Sequence, residues 1–218
     1  MPDLPTFLTF YTAVLALQLA PGPDMILLLS RGVGQGRRTA VLTATGMTLV
    51  AGLIQLPLLA LGVASLIQAS PMAFELLRWS GAAYLVWLGA KLIIGSLRTH
   101  ALVRTAPQPI SDFTALRQGM INNLTNPKAM VFMLAFLPQF VDPANGWSVT
   151  AQLLFLGGVQ KLSGFFILGT VAVGTGTIGD WLSRRPGLIA WQERCAGIIM
   201  IGLGLRLALA GDASPIRR

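Results

Sequence analysis

Two short proline motifs place charged and amide side chains where they could bind a small polar solute. The first is Pro21-Gly22-Pro23-Asp24, and the second, 104 positions further on, is Thr125-Asn126-Pro127-Lys128. Each proline removes a backbone donor and its ring clashes with the preceding turn, so a regular helix cannot run through either motif. A carboxylate follows one break and an ammonium group follows the other. Asp24 and Lys128 are therefore the first candidates for contact with a solute.

The first motif lies in apolar surroundings where a charge is costly. It interrupts the run Phe7–Leu29, which exceeds the roughly 20 residues that a helix needs to cross a bilayer. Carbonyls freed at a break in lipid need new partners, so breaks persist where protein or a water-filled cavity surrounds them. A charge at that depth is a functional candidate by default. The structural alternative is that Asp24 stabilises the first turn of its half-helix, or pairs with Lys128 to hold the fold.

Further polar residues extend the candidate set. Asn126 is a favourable N-cap and Pro127 suits the first helical position, so together they predict the start of a half-helix. Lys161 falls near the middle of another apolar run, although a shifted register or a water-filled face would make it ordinary. The residues that we expect to bind substrate or a coupling ion are Pro21, Gly22, Pro23, Asp24, Asn122, Asn123, Asn126, Pro127, Lys128 and Lys161.

Two broken helices that run in opposite directions would offer both kinds of backbone end to one solute. N-terminal ends present amide donors and partial positive charge, and C-terminal ends present carbonyls. An amino acid carries an ammonium group and a carboxylate close together. In this interpretation Asp24 meets the ammonium group and Lys128 meets the carboxylate.

The sequence does not predict an enzyme, a cofactor or a metal site. It has one histidine, His100 in a basic loop, and one cysteine, Cys195. A nucleophilic triad, a Cys-cluster metal site and an intramolecular disulfide are therefore not expected. The glycine-rich stretch Gly32–Gly36 lacks the Lys-Ser/Thr pair and the preceding strand of a phosphate loop.

The composition predicts an all-α membrane protein. Of 218 residues, 54% are hydrophobic and 11% are charged, and the mean hydropathy is +0.68, whereas soluble domains carry about 25% charged residues. The net charge of +8 does not indicate nucleic acid, because the basic residues lie in short loops rather than in one patch. We expect contact with membrane lipid and not with nucleic acid.

Six apolar runs predict six transmembrane helices. The fourth is the weakest, because its first half is polar enough to form a soluble amphipathic helix instead. A polar link, 98–112, separates a first unit, 1–97, from a second unit, 113–218. The six predicted spans are Phe7–Leu29, Ala40–Ile67, Trp79–Leu97, Phe113–Phe140, Val149–Ile178 and Gln192–Ala210.

The two units resemble each other in the order of their motifs. Since each unit has an odd number of spans, the second must enter the membrane from the opposite side, as in the inverted repeats of many secondary transporters. The predicted fold is therefore two inverted three-helix repeats with broken first and fourth helices. The matched segments are Pro23 with Pro127, Gly52-Leu53-Ile54-Gln55 with Gly158-Val159-Gln160-Lys161, Arg78–Gly81 with Arg194–Gly197, and Gly89–Leu92 with Gly204–Leu207.

Several of these motifs resemble the LysE/RhtB family of amino-acid exporters, over nearly the whole chain. Val50 departs from the glycine that the family pattern has in the second span. The motifs that carry the resemblance are Ala20–Asp24, Gly32–Arg38, Arg78–Leu85 with Leu88–Lys91, Gly119 with Asn122–Ala129, and Leu203–Leu207.

The resemblance implies a multi-pass exporter in the bacterial inner membrane. Such a protein moves amino acids or related small metabolites outward, with protons as the expected coupling ion, and a homodimer is an assembly that the sequence leaves open. The resemblance does not fix the substrate, because family members differ in the amino acid that they export. A membrane channel on the same repeat scaffold is the alternative, and a scaffold without transport is a third hypothesis.

The distribution of basic residues generates a prediction of topology. Nine basic residues lie in the loops after spans one, three and five or within the first five residues of the span that follows, and the opposite side holds three. The positive-inside rule then places those loops in the cytoplasm and both termini outside. Alkaline phosphatase fused after Arg218 should be active, and the same enzyme fused in the link 98–112 should be inactive. The reverse pattern would contradict this orientation, and equal activity at both sites would contradict six spans.

Overall fold

Every regular element that the computed structural model describes is helical. The described residues are 3–19, 22–63, 65, 70–97, 109–142, 146–183 and 186–209, and no strand occurs within these ranges. The predicted all-α class is confirmed. The helices in chain order are α1 (Leu4–Leu19), α2 (Pro23–Gln35), α3 (Arg37–Thr45), α4 (Ala51–Leu58), α5 (Pro71–Gly95), α6 (Asp112–Leu124), α7 (Pro127–Val131), α8 (Val149–Ser183) and α9 (Pro186–Leu209).

Three short π-helical segments extend the helices α3, α4 and α7. Gly46–Val50 joins α3 to α4, and Leu59–Val63 follows α4 directly after Pro57, which removes one backbone donor from the helix. Phe132–Phe136 continues α7 and is followed by the 3₁₀ turn Leu137–Phe140. Single π turns of this kind occur often at functional sites.

Both proline motifs separate one helix from the next, as predicted. α1 and α2 meet at a bend of 50°. Gly22 is the N-cap of α2 with extended backbone, and Pro23 takes the first helical position. Pro127 takes the same position in α7, after Asn126 as N-cap. The prolines are therefore favourable where they stand, because an N-terminal residue of a helix has no use for an amide donor within the helix.

Three of the segments between the predicted spans, 30–39, 68–78 and 179–191, are predicted as non-helical links, and their predicted extent is wrong. Within Ser30–Thr39 all residues but Gly36 are helical, because Gly36 has φ of 89° and makes the whole turn by itself. α5 begins at Pro71 rather than at Trp79, since proline at a helix start costs nothing. α8 and α9 both extend into the predicted link Gly179–Trp191.

Length and hydropathy allow fewer spans than six. In the described ranges, Arg37–Gly62 and Val149–Thr175 are long and apolar enough to cross a membrane, and the bent pair of α1 and α2 counts as a third if it is one span. The segment Pro127–Phe140 is apolar but short. α5 and α9 have 25 and 24 residues, but each carries three charged side chains. The six-span arrangement therefore stays a prediction.

Close helix contacts at glycine hold the bundle together. α5 and α9 meet where a Cβ on Gly89 would lie 2.5 Å from the carbonyl oxygen of Gly197. α3 and α6 cross where a Cβ on Gly119 would lie 2.2 Å from the carbonyl oxygen of Thr43, and one on Gly46 would lie 2.1 Å from that of Leu116. Small residues permit such approach in membrane proteins. The second crossing fixes α6, whose last turn carries Asn122 and Asn123.

Substitution of Gly119 tests this crossing. Gly119→Ala should lower the stability by about 1–3 kcal/mol, because the added methyl group meets a backbone carbonyl that cannot yield. Gly169→Ala in α8 is the control, since nothing lies within 4 Å of its added Cβ. Thermal unfolding in detergent should show a midpoint several degrees lower for the first variant and an unchanged or higher midpoint for the second. Equal midpoints would contradict the close crossing.

Candidate solute-binding site

The carboxylate of Asp24 is held by the two asparagines at the end of α6. Asn122 donates from Nδ2 to Oδ1 of Asp24 at 2.5 Å, and Asn123 donates from Nδ2 to Oδ2 at 2.8 Å. Hydrogen bonds to a charged acceptor are shorter and stronger than neutral ones. The first turn of α2 is thereby tied to the last turn of α6, so the two breaks lie side by side.

Lys161 is buried in the middle of α8, with 5% of its surface exposed. Its Nζ donates to Oδ1 of Asn123 at 3.0 Å and to Oε1 of Gln55 in α4. A buried ammonium group is costly unless hydrogen bonds and an opposite charge compensate it. Asp24 supplies the opposite charge for both Lys161 and Lys128. Lys161 is therefore not an ordinary surface lysine on a water-filled face.

Asn123 connects the two charged groups. Its amide nitrogen donates to Asp24 and its amide oxygen accepts from Lys161, so both ends of one side chain are used. The resulting polar chain runs from Asp24 through Asn123 and Lys161 to Gln55, and it joins α2, α6, α8 and α4. We call these four residues the central polar chain.

The second break is capped by its own asparagine. Oδ1 of Asn126 accepts from the backbone amide of Lys128 at 3.0 Å, which is the usual N-cap arrangement. The backbone amide of Lys128 is therefore already bonded and does not donate to a solute. The sequence analysis instead expects the backbone amides at a helix start to bind the solute. The Lys128 side chain extends to the first break, because a Cβ built on Gly22 would lie 3.2 Å from its Nζ. A larger residue at position 22 would press on this ammonium group.

A second group of amides lies between α1 and α8. Gln18 donates from Nε2 to the backbone oxygen of Gln160 at 2.7 Å, and its Oε1 accepts from Oγ of Ser163 at 3.0 Å. Both ends of the Gln18 side chain are therefore fixed. These contacts tie the end of α1, just before the first break, to the middle of α8.

The two groups line one cavity beside the breaks. About 60 Å³ in it is open to the centres of water molecules, of which each needs roughly 10–15 Å³ on that measure. The cavity therefore has room for about four to six water molecules. Its polar lining comes from Gln18, Asp24, Thr48, Asn123, Asn126, Lys128, Gln160 and Lys161, and its apolar lining includes Leu17, Met25, Met47, Ala129 and Leu168.

Most of the residues predicted from the motifs come together here. Asn122 contributes through Asp24, whereas Pro23 and Pro127 are exposed and act through the helix starts that they define. Pro21 and His100 lie outside the described residues. No group of three or more His, Cys, Asp or Glu side chains in the described part of the chain could hold a metal ion.

Gln18, Gln55 and Gln160 were not predicted as site residues. A signal for Gln18 exists, because it precedes Asn122 by 104 positions, the same spacing that separates the two proline motifs. Gln55 and Gln160 are polar residues inside otherwise apolar spans, and Gln55 is the match of Lys161 in the comparison of the two units. An amide side chain in an apolar span is therefore a signal for the site, as a charged side chain is.

Comparison with known proteins gives one family. The family model described as LysE type translocator matches residues 15–211. An uncharacterized membrane protein of Pseudomonas aeruginosa is 31% identical, over 94% of this chain and 95% of that protein. A leucine efflux protein of Enterobacter sp. is 29% identical, over 93% and 94%. A homoserine/homoserine lactone efflux protein of Salmonella typhimurium is 31% identical, over 90% and 93%. No solved structure matches the chain.

The central polar chain predicts a specific pattern of coupling. In a double-mutant cycle, Asn123→Ala and Lys161→Met should show a coupling free energy of about 1–2 kcal/mol, because each removes the same contact. Asn122→Ala is the matched control: it also loses a bond to Asp24 but has no bond to Lys161 among the described contacts. Unfolding midpoints in detergent should show additivity for the control pair. Equal coupling in both cycles would contradict the connection through Asn123.

Proposed function

Because this chain belongs to the family of LysE type translocators, we propose that it is a secondary active exporter of amino acids. It acts across the bacterial inner membrane and is driven by the proton gradient. The observation that carries the proposal is the cavity at the two breaks, which presents a carboxylate and ammonium groups to the same space. A zwitterion carries the complementary charges at the separation of two bonds, and few other small metabolites do.

The names of the relatives support amino acids as the solute class. Those proteins are called leucine efflux protein and homoserine/homoserine lactone efflux protein. Leucine and homoserine have uncharged side chains, and the apolar lining by residues such as Leu17, Met25 and Leu168 suits a side chain of that kind. We propose transport rather than catalysis for this chain.

The contacts between the halves support two inverted repeats. Gln55 and Lys161 are matched residues of the two units, and they bond to each other, as residues on a two-fold axis do. The contact of Gly89 with Gly197 resembles the contact of Gly204 with Ala82, which is the neighbour of Gly81, the match of Gly197. A Cβ on Gly204 would lie 2.8 Å from the Ala82 carbonyl oxygen. Six spans with broken first and fourth helices follow from this symmetry, and α5 and α9 then serve as spans three and six.

Polar contacts also support the proposed orientation. Arg38 at the start of α3 bonds to Asp112 at the start of α6 at 2.5 Å. Arg194 in α9 donates from Nε to Oγ of Ser96, directly after α5, at 3.1 Å. These bonds join the three regions that the charge pattern assigns to the cytoplasm, so the regions share one end of the bundle.

Asp24 is the proposed coupling residue. Its oxygen atoms accept from two neutral amides, and the positive charges near it belong to lysines on other helices. A proton and a substrate ammonium group compete for the same carboxylate, and a site that must release one to hold the other exchanges them. Outward movement of substrate is thereby linked to inward movement of a proton.

Exchange of Asp24 for its isosteric amide tests this proposal. Asp24→Asn should reduce uphill export at least tenfold, because the amide cannot be protonated at physiological pH, while exchange of labelled for unlabelled amino acid in the absence of a gradient should persist. Asp112→Asn is the control, since it removes an exposed carboxylate in an ion pair at the end of the bundle. The measurement is efflux from proteoliposomes with and without an imposed pH gradient, at equal protein content.

Two outcomes would contradict the proposal. Uphill export by Asp24→Asn at the wild-type rate would make Asp24 a structural cap. Flux through the wild-type protein that does not saturate and shows no counterflow would indicate a channel instead of an exporter.

A further inference from the structure

Two residues that line the cavity each have a buried amide atom with no hydrogen-bond partner among the described residues. They are the donor Nδ2 of Asn126 and the acceptor Oε1 of Gln160. The two residues are 3% and 7% exposed, and both line the cavity beside the breaks. Buried polar atoms are nearly always bonded, so an unpaired atom of a residue beside a cavity points to a partner that the cavity admits.

The rest of each residue is held in place. Oδ1 of Asn126 caps α7, which identifies the other end of its amide as the nitrogen. The backbone oxygen of Gln160 accepts from Gln18, whose own amide is anchored by Ser163. One donor and one acceptor are thus presented from two helices, α8 and the start of α7, that are fixed independently of any solute.

We propose that Asn126 Nδ2 and Gln160 Oε1 bind the substrate directly, the first at its carboxylate and the second at its ammonium group. This inference rests on the proposed function, and it assigns the directional contacts of the same site. Each amide has a charged companion on the cavity wall: Lys128 for the carboxylate and Asp24 for the ammonium group. The charges attract the zwitterion, and the neutral amides fix its orientation.

The lining also limits the substrate side chain. Of the described residues that line the cavity, Asp24 alone carries a carboxylate, and it already accepts two hydrogen bonds. A cationic side chain in addition to the α-ammonium group would therefore have no carboxylate of its own. The remaining wall is largely apolar, from residues such as Met25, Met47 and Leu168. The substrate class is a small α-amino acid with an uncharged side chain.

Conservative variants separate binding from folding. Asn126→Ser keeps an oxygen that can cap α7 but removes the free donor. Gln160→Met keeps the backbone acceptor and the length of the side chain but removes the free acceptor, whereas Gln160→Glu retains an acceptor oxygen. Gln192→Met is the control, because Gln192 donates to the backbone oxygen of Leu19 and does not line the cavity. Size-exclusion profiles in detergent verify that each variant is folded.

The probes are L-leucine, its decarboxylated analogue 3-methylbutylamine and its deaminated analogue 4-methylpentanoate. Counterflow of labelled L-leucine gives KM, and inhibition of that counterflow gives the affinity of each analogue. Asn126→Ser should raise KM for L-leucine about tenfold and lower the affinity for 4-methylpentanoate about tenfold. The affinity for 3-methylbutylamine should change less than about twofold. Gln160→Met should show the opposite selectivity, and Gln160→Glu should restore affinity for 3-methylbutylamine. Gln192→Met should match the wild type.

The outcomes distinguish this inference from the proposed function. The assignment of the two amides is wrong if the wild type shows counterflow of L-leucine and neither Asn126→Ser nor Gln160→Met changes KM. It is also wrong if each variant lowers the affinity for both analogues equally. If the wild type exchanges L-lysine but not L-leucine, the proposed function stands and the inferred substrate class is wrong. If no amino acid shows counterflow, the proposed function itself is wrong, and the inference fails with it.

Discussion

The buried ammonium group of Lys161 is the constraint on which the centre of this structure depends. It lies in the middle of a 35-residue helix, away from both ends, and is 5% exposed. Such a charge is tolerated only where fixed acceptors and a counter-charge surround it. Asn123 and Gln55 supply the acceptors, and Asp24 supplies the charge. Meeting this one requirement therefore brings together residues from both halves of the chain.

The breaks in the helices serve the same requirement. The bend between α1 and α2 falls just before Asp24, whose carboxylate accepts from the two asparagines at the end of α6. Likewise, Asn126 caps α7 with its Oδ1, which leaves its Nδ2 unpaired beside the cavity that the residue lines. The close crossing at Gly46 and Gly119 holds α6 against the π-helical turn that contributes to the same wall. The breaks in the helices thus place the polar groups that the buried charges need as partners.

The helical class and both helix starts could be predicted from the sequence, because proline and N-cap preferences act locally. The same local chemistry is enough to locate Asp24, Asn126 and Lys128 at the breaks. It fails for Ser30–Thr39, where glycine and arginine resemble a loop but only Gly36 leaves the helix. The intrinsic helix propensity of glycine and arginine predicts the structure of this segment poorly, because packing of α2 and α3 against α8 outweighs it.

Partners across the bundle could not be predicted from the sequence. The pairing of Asn123 with Lys161 depends on how α6 and α8 approach, which no local preference encodes. Unpaired atoms are even harder to predict from the sequence. The unpaired Oε1 of Gln160 is evident only when every neighbour of its amide is known. The spacing of 104 between Gln18 and Asn122 is the exception, since an internal repeat carries information about distant positions.

The central claim is that the cavity beside the two breaks is where the solute binds, and protection from alkylation tests it most directly. In a Cys195→Ser background, Met25→Cys places a thiol on the cavity wall, and Trp147→Cys places one at an exposed position outside it. A water-soluble maleimide is applied to the purified protein with and without saturating L-leucine. The account predicts that L-leucine slows modification of Met25→Cys several-fold and leaves Trp147→Cys unchanged. Modification of Met25→Cys at the same rate with and without L-leucine, in protein that shows L-leucine counterflow, would contradict it.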